Sequence, residues 1–182
     1  TAVGWAYLCN NPTGNQNFSI GAESMRKQTS GCYNTAVGDH TACGMSSGCA
    51  NTAIGYKALY DTTTASGNMA GGRYALYKNT TGNENTALGS YSLYTNTTGS
   101  RNSASGQYAL RDNTTGSCNT GSGYNALRGN TTAANNNAVG SFSLCGNTTG
   151  TGNNAFGSYS LCAATTASYN TAMGYLASVS YT

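Results

Sequence analysis

Tyrosines recur in this sequence at intervals of 17 residues, and they are the side chains best suited to contact a ligand. They form two series, Tyr74, Tyr91 and Tyr108 in one and Tyr60, Tyr77 and Tyr94 in the other. A tyrosine ring has an apolar face and a polar hydroxyl, so a row of rings suits either packing against another chain or holding the faces of sugars. The sequence leaves both interpretations open, a packed ladder and a glycan-contacting surface.

Four of the seven cysteines form pairs with the same interval, Cys32 with Cys49 and Cys145 with Cys162. If equivalent residues stack at about 4.8 Å, their Cα atoms lie within the window of about 4.4–6.8 Å that a disulfide requires. We therefore predict two candidate disulfides, with free thiols in a reducing compartment as the alternative. Because His40 is the only histidine and no CxxC motif occurs, no metal site is expected.

Six asparagines begin an Asn-X-Ser/Thr sequence and are candidate N-glycosylation sites. Five of them lie in Asn-Thr-Thr segments, which would place glycans only about 4.8 Å apart on stacked coils. This crowding favours a role in turns as the alternative. The six residues are Asn17, Asn79, Asn96, Asn113, Asn130 and Asn147.

The acidic residues do not assemble a catalytic pair. No two of the five, Glu23, Asp39, Asp61, Glu84 and Asp112, lie 17 residues apart. The glycines do not follow a strand into a helix, so no phosphate loop or dinucleotide fingerprint is present. We expect a protein that is not an enzyme and that needs no cofactor.

The spacing that relates these side chains runs through the whole chain. Glycine recurs every 17 residues from Gly4 to Gly174, eleven times and without insertion. When each unit is numbered from its asparagine, the consensus is Asn-Thr-Ala-x-Gly-x-x-Ala/Ser-Leu-x-x-Asn-Thr-Thr-Gly-x-x. Residues 1–182 therefore form one repeat array, which we expect to be a segment of a longer fibre.

This period predicts an all-β fold. Helical hairpin repeats need about 33 residues, whereas 17 residues suit one coil of a parallel β-solenoid. We predict about eleven coils, with short strands near positions 1–4 and 7–10 and a third extended piece near positions 12–14. Glycines at positions 5 and 15 are expected to form the corners with positive φ angles.

Position 1 is asparagine in every complete unit. Stacked side-chain amides can hydrogen-bond from coil to coil and so hold the register. The alternative is a row of amides on the surface that contacts a ligand. The predicted ladder comprises Asn17, Asn34, Asn51, Asn68, Asn85, Asn102, Asn119, Asn136, Asn153 and Asn170.

Position 4 is apolar in eight of the eleven units, for example Ile54, Leu88 and Phe156. Successive residues of a strand face opposite sides, so an inward position 3 places position 4 outside. An exposed apolar column usually marks an interface. We expect several chains to associate, preferably as a homotrimer around this column or otherwise as an end-to-end filament. The alternative is a monomeric solenoid with position 4 inside.

The segments NTAVG at 34–38, NTAIG at 51–55 and NTALG at 85–89, each leading to Ala/Ser-Leu or a close variant, resemble repeats of phage and bacterial fibre proteins. They are also similar to the head repeats of trimeric autotransporter adhesins of the YadA type, although those repeats are shorter. The resemblance covers the whole chain. It implies a left-handed parallel β-roll of three chains with an extracellular, cell-surface or virion-surface role in attachment.

Composition limits the partners. Only 7% of the residues are charged and the net charge is +3, without a basic stripe for nucleic acid. The longest apolar run is far below the roughly 20 residues that a membrane-spanning helix needs, so no membrane insertion is expected. We predict a structural fibre or filament segment with an attachment role. The alternatives are a module that binds surface glycans through its tyrosine columns, and an ice-binding β-solenoid.

Overall fold

A computed structural model describes residues 1–4 and 13–177, which form a parallel β-solenoid of about ten coils. The predicted all-β solenoid is confirmed. Each residue of a strand pairs with the residue 17 positions later, as Ala87 does with Ala104. The strands are β1 Ala2–Val3, β2 Phe18–Ile20, β3 Thr35–Val37, β4 Thr52–Ile54, β5 Met69–Gly71, β6 Thr86–Leu88, β7 Ser103–Ser105, β8 Thr120–Ser122, β9 Asn137–Val139, β10 Asn154–Phe156 and β11 Thr171–Met173.

Each coil of the described chain contains a single strand, at positions 2–4. Positions 12–14, expected as an extended piece, form no strand, and the strand expected near positions 7–10 is wrong. The reason is the backbone at positions 7 and 9, where Tyr91 and Leu93 have φ angles of 59° and 48°. Left-handed residues turn the chain sharply and prevent an extended conformation.

Glycine forms the corner at position 5. The left-handed residues at the other positions are mostly not glycine. Gly89 at position 5 has a φ of 141°, and a Cβ atom there would come within 2.5 Å of the carbonyl oxygen of Gly106 in the next coil. Position 15 does not have the expected positive φ, since Gly99 is not in the left-handed region. Position 17 is left-handed instead, with a φ of 58° at Arg101.

The core is a narrow stack of leucine and alanine. Ala87 at position 3 and Leu93 at position 9 are fully buried. Burying a leucine contributes about 1.5–3 kcal/mol, which offsets the roughly 1–2 kcal/mol cost of a left-handed residue. The buried leucines are Leu59, Leu76, Leu93, Leu110, Leu127, Leu144 and Leu161.

Hydrogen bonds join the coils outside the strands as well. The backbone N–H of Leu93 donates to the carbonyl of Ala109 at 3.0 Å, and that of Thr97 donates to Thr114 at 2.9 Å. The turn segments of neighbouring coils therefore hydrogen-bond to each other much as the strands do. In the part of the chain that the structure describes, no helix has the length and apolarity to cross a bilayer.

Candidate functional site

The asparagines of position 1 point into the coil and bond to one another. In Asn85, the side-chain Nδ2 donates to Oδ1 of Asn68 at 3.2 Å and to the carbonyl of Gly99 at 2.8 Å. The backbone N–H of Asn85 donates to the same Oδ1 at 2.9 Å. Equivalent bonds continue along the column, and its members from Asn17 to Asn153 are buried. These amides hold neighbouring coils in register and are not presented to a ligand.

A second asparagine ladder runs along position 12. Nδ2 of Asn96 donates to Oδ1 of Asn79 at 2.7 Å and to the carbonyl of Gly99 at 2.9 Å. All five members are fully buried, and they are Asn79, Asn96, Asn113, Asn130 and Asn147.

This second ladder corrects the candidate glycosylation sites. The side-chain nitrogen that would carry a glycan is buried and donates hydrogen bonds at Asn79, Asn96, Asn113, Asn130 and Asn147. Asn17 is 8% exposed, and its Nδ2 donates to Gly31 at 2.8 Å. A glycan on any of the six is incompatible with this fold. The 17-residue recurrence of Asn at position 12 is the signal that points to a ladder instead.

The cysteines of each predicted pair face each other on adjacent coils. The Sγ atoms of Cys32 and Cys49 are 2.7 Å apart, and those of Cys145 and Cys162 are also 2.7 Å apart. All four are free thiols in this structure. Burial, together with the hydrogen bond shared with Cys162, raises the pKa of Cys145 to about 12.

We expect mild oxidation to link these two pairs and no others. Each pair would give two hydrogens to an added oxidant such as oxidised glutathione, and each bond would close a 17-residue loop worth about 3 kcal/mol of stability. Since the thiolate is the reacting form and the pKa of Cys145 is raised, linkage at Cys145 should accelerate as the pH rises towards 12. Non-reducing peptide mapping measures both the linkages and their rates.

Two other cysteines serve as internal controls for that experiment. Cys43 is buried and Cys118 is exposed, and neither has a cysteine neighbour on an adjacent coil. Both should remain open to alkylation after the oxidised chain is unfolded. Intramolecular links that involve Cys118 would contradict the stacking. Cys9 lies outside the described residues.

The two tyrosine columns form one continuous aromatic surface. At position 10 the rings of Tyr60 and Tyr77 stack at 5.2 Å, as do those of Tyr77 and Tyr94. At position 7 the ring of Tyr91 lies 5.1 Å from Tyr74, and it contacts Tyr94 of the other column at 5.5 Å. Tyr60, Tyr74, Tyr77, Tyr91, Tyr94 and Tyr108 are all partly exposed. The columns stabilise each other and still present ring surface to solvent.

Near the middle of the rod, the tyrosines of this aromatic surface give way to polar and charged residues. Position 10 becomes arginine at Arg111 and Arg128, and position 7 becomes asparagine at Asn125. The change leaves a groove of about 470 Å³. We call it the Tyr–Arg groove and define it by its lining residues Tyr91, Tyr94, Tyr108, Arg111, Tyr124, Asn125 and Arg128. Sequence reasoning missed it, although the three departures from the tyrosine columns are visible in the sequence.

Position 4 faces outward, and its apolar members form an exposed column. Leu88 is 40% exposed and Ile54 is 49% exposed, whereas the neighbouring Ala87 is fully buried. The alternative that places position 4 inside the solenoid is therefore wrong. The exposed apolar members are Val3, Ile54, Leu88, Val139, Phe156 and Met173.

The single histidine, His40, lies between two carboxylates. Nε2 of His40 lies 3.3 Å from Glu23, and Nδ1 lies 3.0 Å from Asp39. Cys43 is buried, and its burial raises the pKa of the thiol, which disfavours the reactive thiolate. Across residues 1–4 and 13–177, no group of three or more His, Cys, Asp or Glu residues could hold a metal ion.

Comparisons with protein-family models, with curated proteins and with solved structures found no match to this chain.

Proposed function

We propose that this chain is a stiff structural rod, a segment of a fibre or filament at a cell or virion surface, and that it acts without catalysis. Its stiffness comes from two buried asparagine ladders and from backbone bonds between all neighbouring coils. Because every described coil repeats the strand pairing and the position-1 asparagine bonds, the rod extends by adding coils without a new core. Such a molecule is suited to holding an attachment surface away from the body that carries it.

The exposed apolar column of position 4 supports the proposal that several copies of the chain associate. Position 4 recurs once per coil and is apolar in eight of the eleven units, so a partner surface with the same 17-residue repeat can fit against the column. A second copy of this chain has the same 17-residue repeat. An isologous or cyclic arrangement would bury the column of each copy, and three chains around one axis is the arrangement we favour.

We expect Leu88→Lys with Val139→Lys to dissociate the assembly. Both side chains are exposed in the column, and the polar Ser105 at the same position shows that the fold accepts polarity there. Two unpaired charges at the interface should weaken association at least about 100-fold, or about 2.7 kcal/mol. Light scattering during size-exclusion chromatography should give three chains for the native protein and one for the variant.

The matched control places the same charges on another face. Thr98 and Thr149 are exposed at position 14 and have the same separation in sequence as Leu88 and Val139. Thr98→Lys with Thr149→Lys should leave the assembly intact. A native protein that runs as one chain, or a control that dissociates equally, would contradict association through position 4.

The second proposed function is attachment to glycans through the tyrosine columns. The observation that favours it is the partly exposed aromatic surface with the Tyr–Arg groove at its middle. Ice binding has less support. The hydroxyl of Thr97 at position 13 donates to the carbonyl of Thr114 at 3.1 Å, which leaves position 14 as the exposed threonine column of that turn.

A further inference from the structure

We infer that the Tyr–Arg groove binds an acidic saccharide, a sugar that bears a carboxylate or sulfate group. This inference rests on the second proposed function, attachment to glycans, and adds to it the place and the chemical class of the ligand. A cavity of about 470 Å³ lies within the range of about 300–1,000 Å³ that is typical of small-molecule sites.

The groove exists because one coil lacks the aromatic ring of position 7. Asn125 stands between Tyr108 of the preceding coil and Phe142 of the following coil. Tyr124 continues the line of rings to one side, 6.1 Å from Tyr108 and 5.3 Å from Phe142. The missing ring leaves a recess with aromatic walls and Asn125 among its lining residues.

Two arginines give the groove its positive charge. Arg111 and Arg128 occupy position 10 of adjacent coils and line the same cavity. Arg111 lies over the ring of Tyr108 at 5.9 Å, and its Nε is 3.5 Å from the carboxylate of Asp112. Arg128 forms no ion pair within the described residues. At least one guanidinium is thus available for the bidentate contact that carboxylates and sulfates accept.

Asn125 supplies a polar group without a partner. The residue is 3% exposed, and its Oδ1 is buried and accepts no hydrogen bond from the residues that the structure describes. An unsatisfied buried acceptor costs about 1–3 kcal/mol, which a hydroxyl donor from a ligand would recover after a small movement of the amide. Sugar hydroxyls are such donors.

The arrangement of the rings favours a sugar over a nucleobase. Tyr108 and Tyr124 meet at an interplanar angle of 69°, and Tyr91 and Tyr94 meet at 53°. A flat base enters between two rings only when they are parallel and far enough apart. The two rings of each pair are too close together and too steeply inclined for this. An amphipathic ring still offers its face to the C–H groups of a sugar and its hydroxyl to the rim.

The test is titration calorimetry of the full chain with three probes, a heparin tetrasaccharide, a hyaluronan tetrasaccharide and the neutral chitotetraose. We expect the acidic probes to bind and the neutral one to bind at least tenfold more weakly. Arg111→Gln with Arg128→Gln should weaken acidic binding at least tenfold. The control Arg26→Gln with Arg101→Gln removes the same charge from exposed residues outside the groove and should change binding less than twofold.

A second variant tests the recess without removing charge. Asn125→Tyr restores the ring that Tyr74, Tyr91 and Tyr108 carry at the same position and backbone conformation, so the fold should accept it. It should fill the groove and weaken acidic binding at least tenfold. Retained binding in this variant would overturn the inference.

The remaining outcomes separate the inference from the function on which it rests. Equal binding of neutral and acidic probes supports glycan attachment but overturns the acidic class. Equal losses in the groove and control variants show non-specific charge attraction and overturn the site. If none of the saccharides binds, both the inference and glycan attachment fail. A single-stranded oligonucleotide is titrated in a separate experiment, and its tighter binding in the same groove overturns the saccharide assignment.

Discussion

Replacing Gly89 by alanine is expected to cost more than about 4 kcal/mol of stability and to disrupt the coils around it. Two effects act together at this residue. Its φ of 141° lies in a region that side chains rarely adopt. The new Cβ would also come within 2.5 Å of the carbonyl oxygen and 2.6 Å of the carbonyl carbon of Gly106. Because both atoms belong to the backbone, the coils must separate to relieve the contact.

Gly67→Ala is the matched control for this change. Gly67 also has a positive φ, 70°, but the nearest atom to an added Cβ would be 3.6 Å away, at Glu84. Ala50 already occupies the same repeat position with a φ of 56°. The control should therefore cost only about 1–2 kcal/mol, the strain of a left-handed alanine without a backbone contact. Urea unfolding followed by circular dichroism measures both variants, and equal losses would show that contact between coils is not the cause.

The general plan of the solenoid is accessible from the sequence because the repeat leaves few alternatives. A strict 17-residue period without insertion requires every coil to align with the next, which predicts a parallel sheet. The contrast between small residues at position 3 and apolar residues at position 4 indicates which side of the strand faces inward. The buried Ala87 and the exposed Leu88 show this arrangement.

The path of each coil between its strands is not accessible in the same way. Local preference predicts an extended or right-handed leucine at position 9, yet Leu93 has a φ of 48°. Packing into the narrow core overrides that preference. The left-handed conformation therefore cannot be predicted from the pattern of residue types. The strands expected at positions 7–10 fail for this reason.

The candidate sites differ in how far the sequence reveals them. Asparagine at position 1 recurs without exception, so a ladder is the simplest prediction from the recurrence. At position 12 the Asn-Thr-Thr motif suggests glycosylation. The suggestion is wrong because a three-residue motif does not show whether its asparagine is buried. The Tyr–Arg groove depends on departures from the repeat at Arg111, Asn125 and Arg128, which a consensus discards.

Asn85→Ala is the second change with a large expected effect. The variant removes the Oδ1 that accepts from the backbone N–H of Asn102 at 3.0 Å and from its side-chain Nδ2 at 3.1 Å. Nδ2 of Asn102 keeps its bond to Gly116, but the buried backbone N–H loses the side-chain acceptor to which it donates. One orphaned donor and the lost side-chain bonds together should cost about 3 kcal/mol.

Asn96→Ala separates the loss of that backbone partner from the loss of a buried amide. Asn96 lies in the same coil, is equally buried and bonds to its ladder neighbours, but its Oδ1 accepts from the side chain of Asn113, which keeps its bond to Gly116. Other coils have Met45, Thr62 or Ala164 at this position. The loss should be about half that of Asn85→Ala. Hydrogen exchange should show the Asn102 amide deprotected in Asn85→Ala alone, and equal exchange in both variants would contradict the role of the position-1 ladder in holding register.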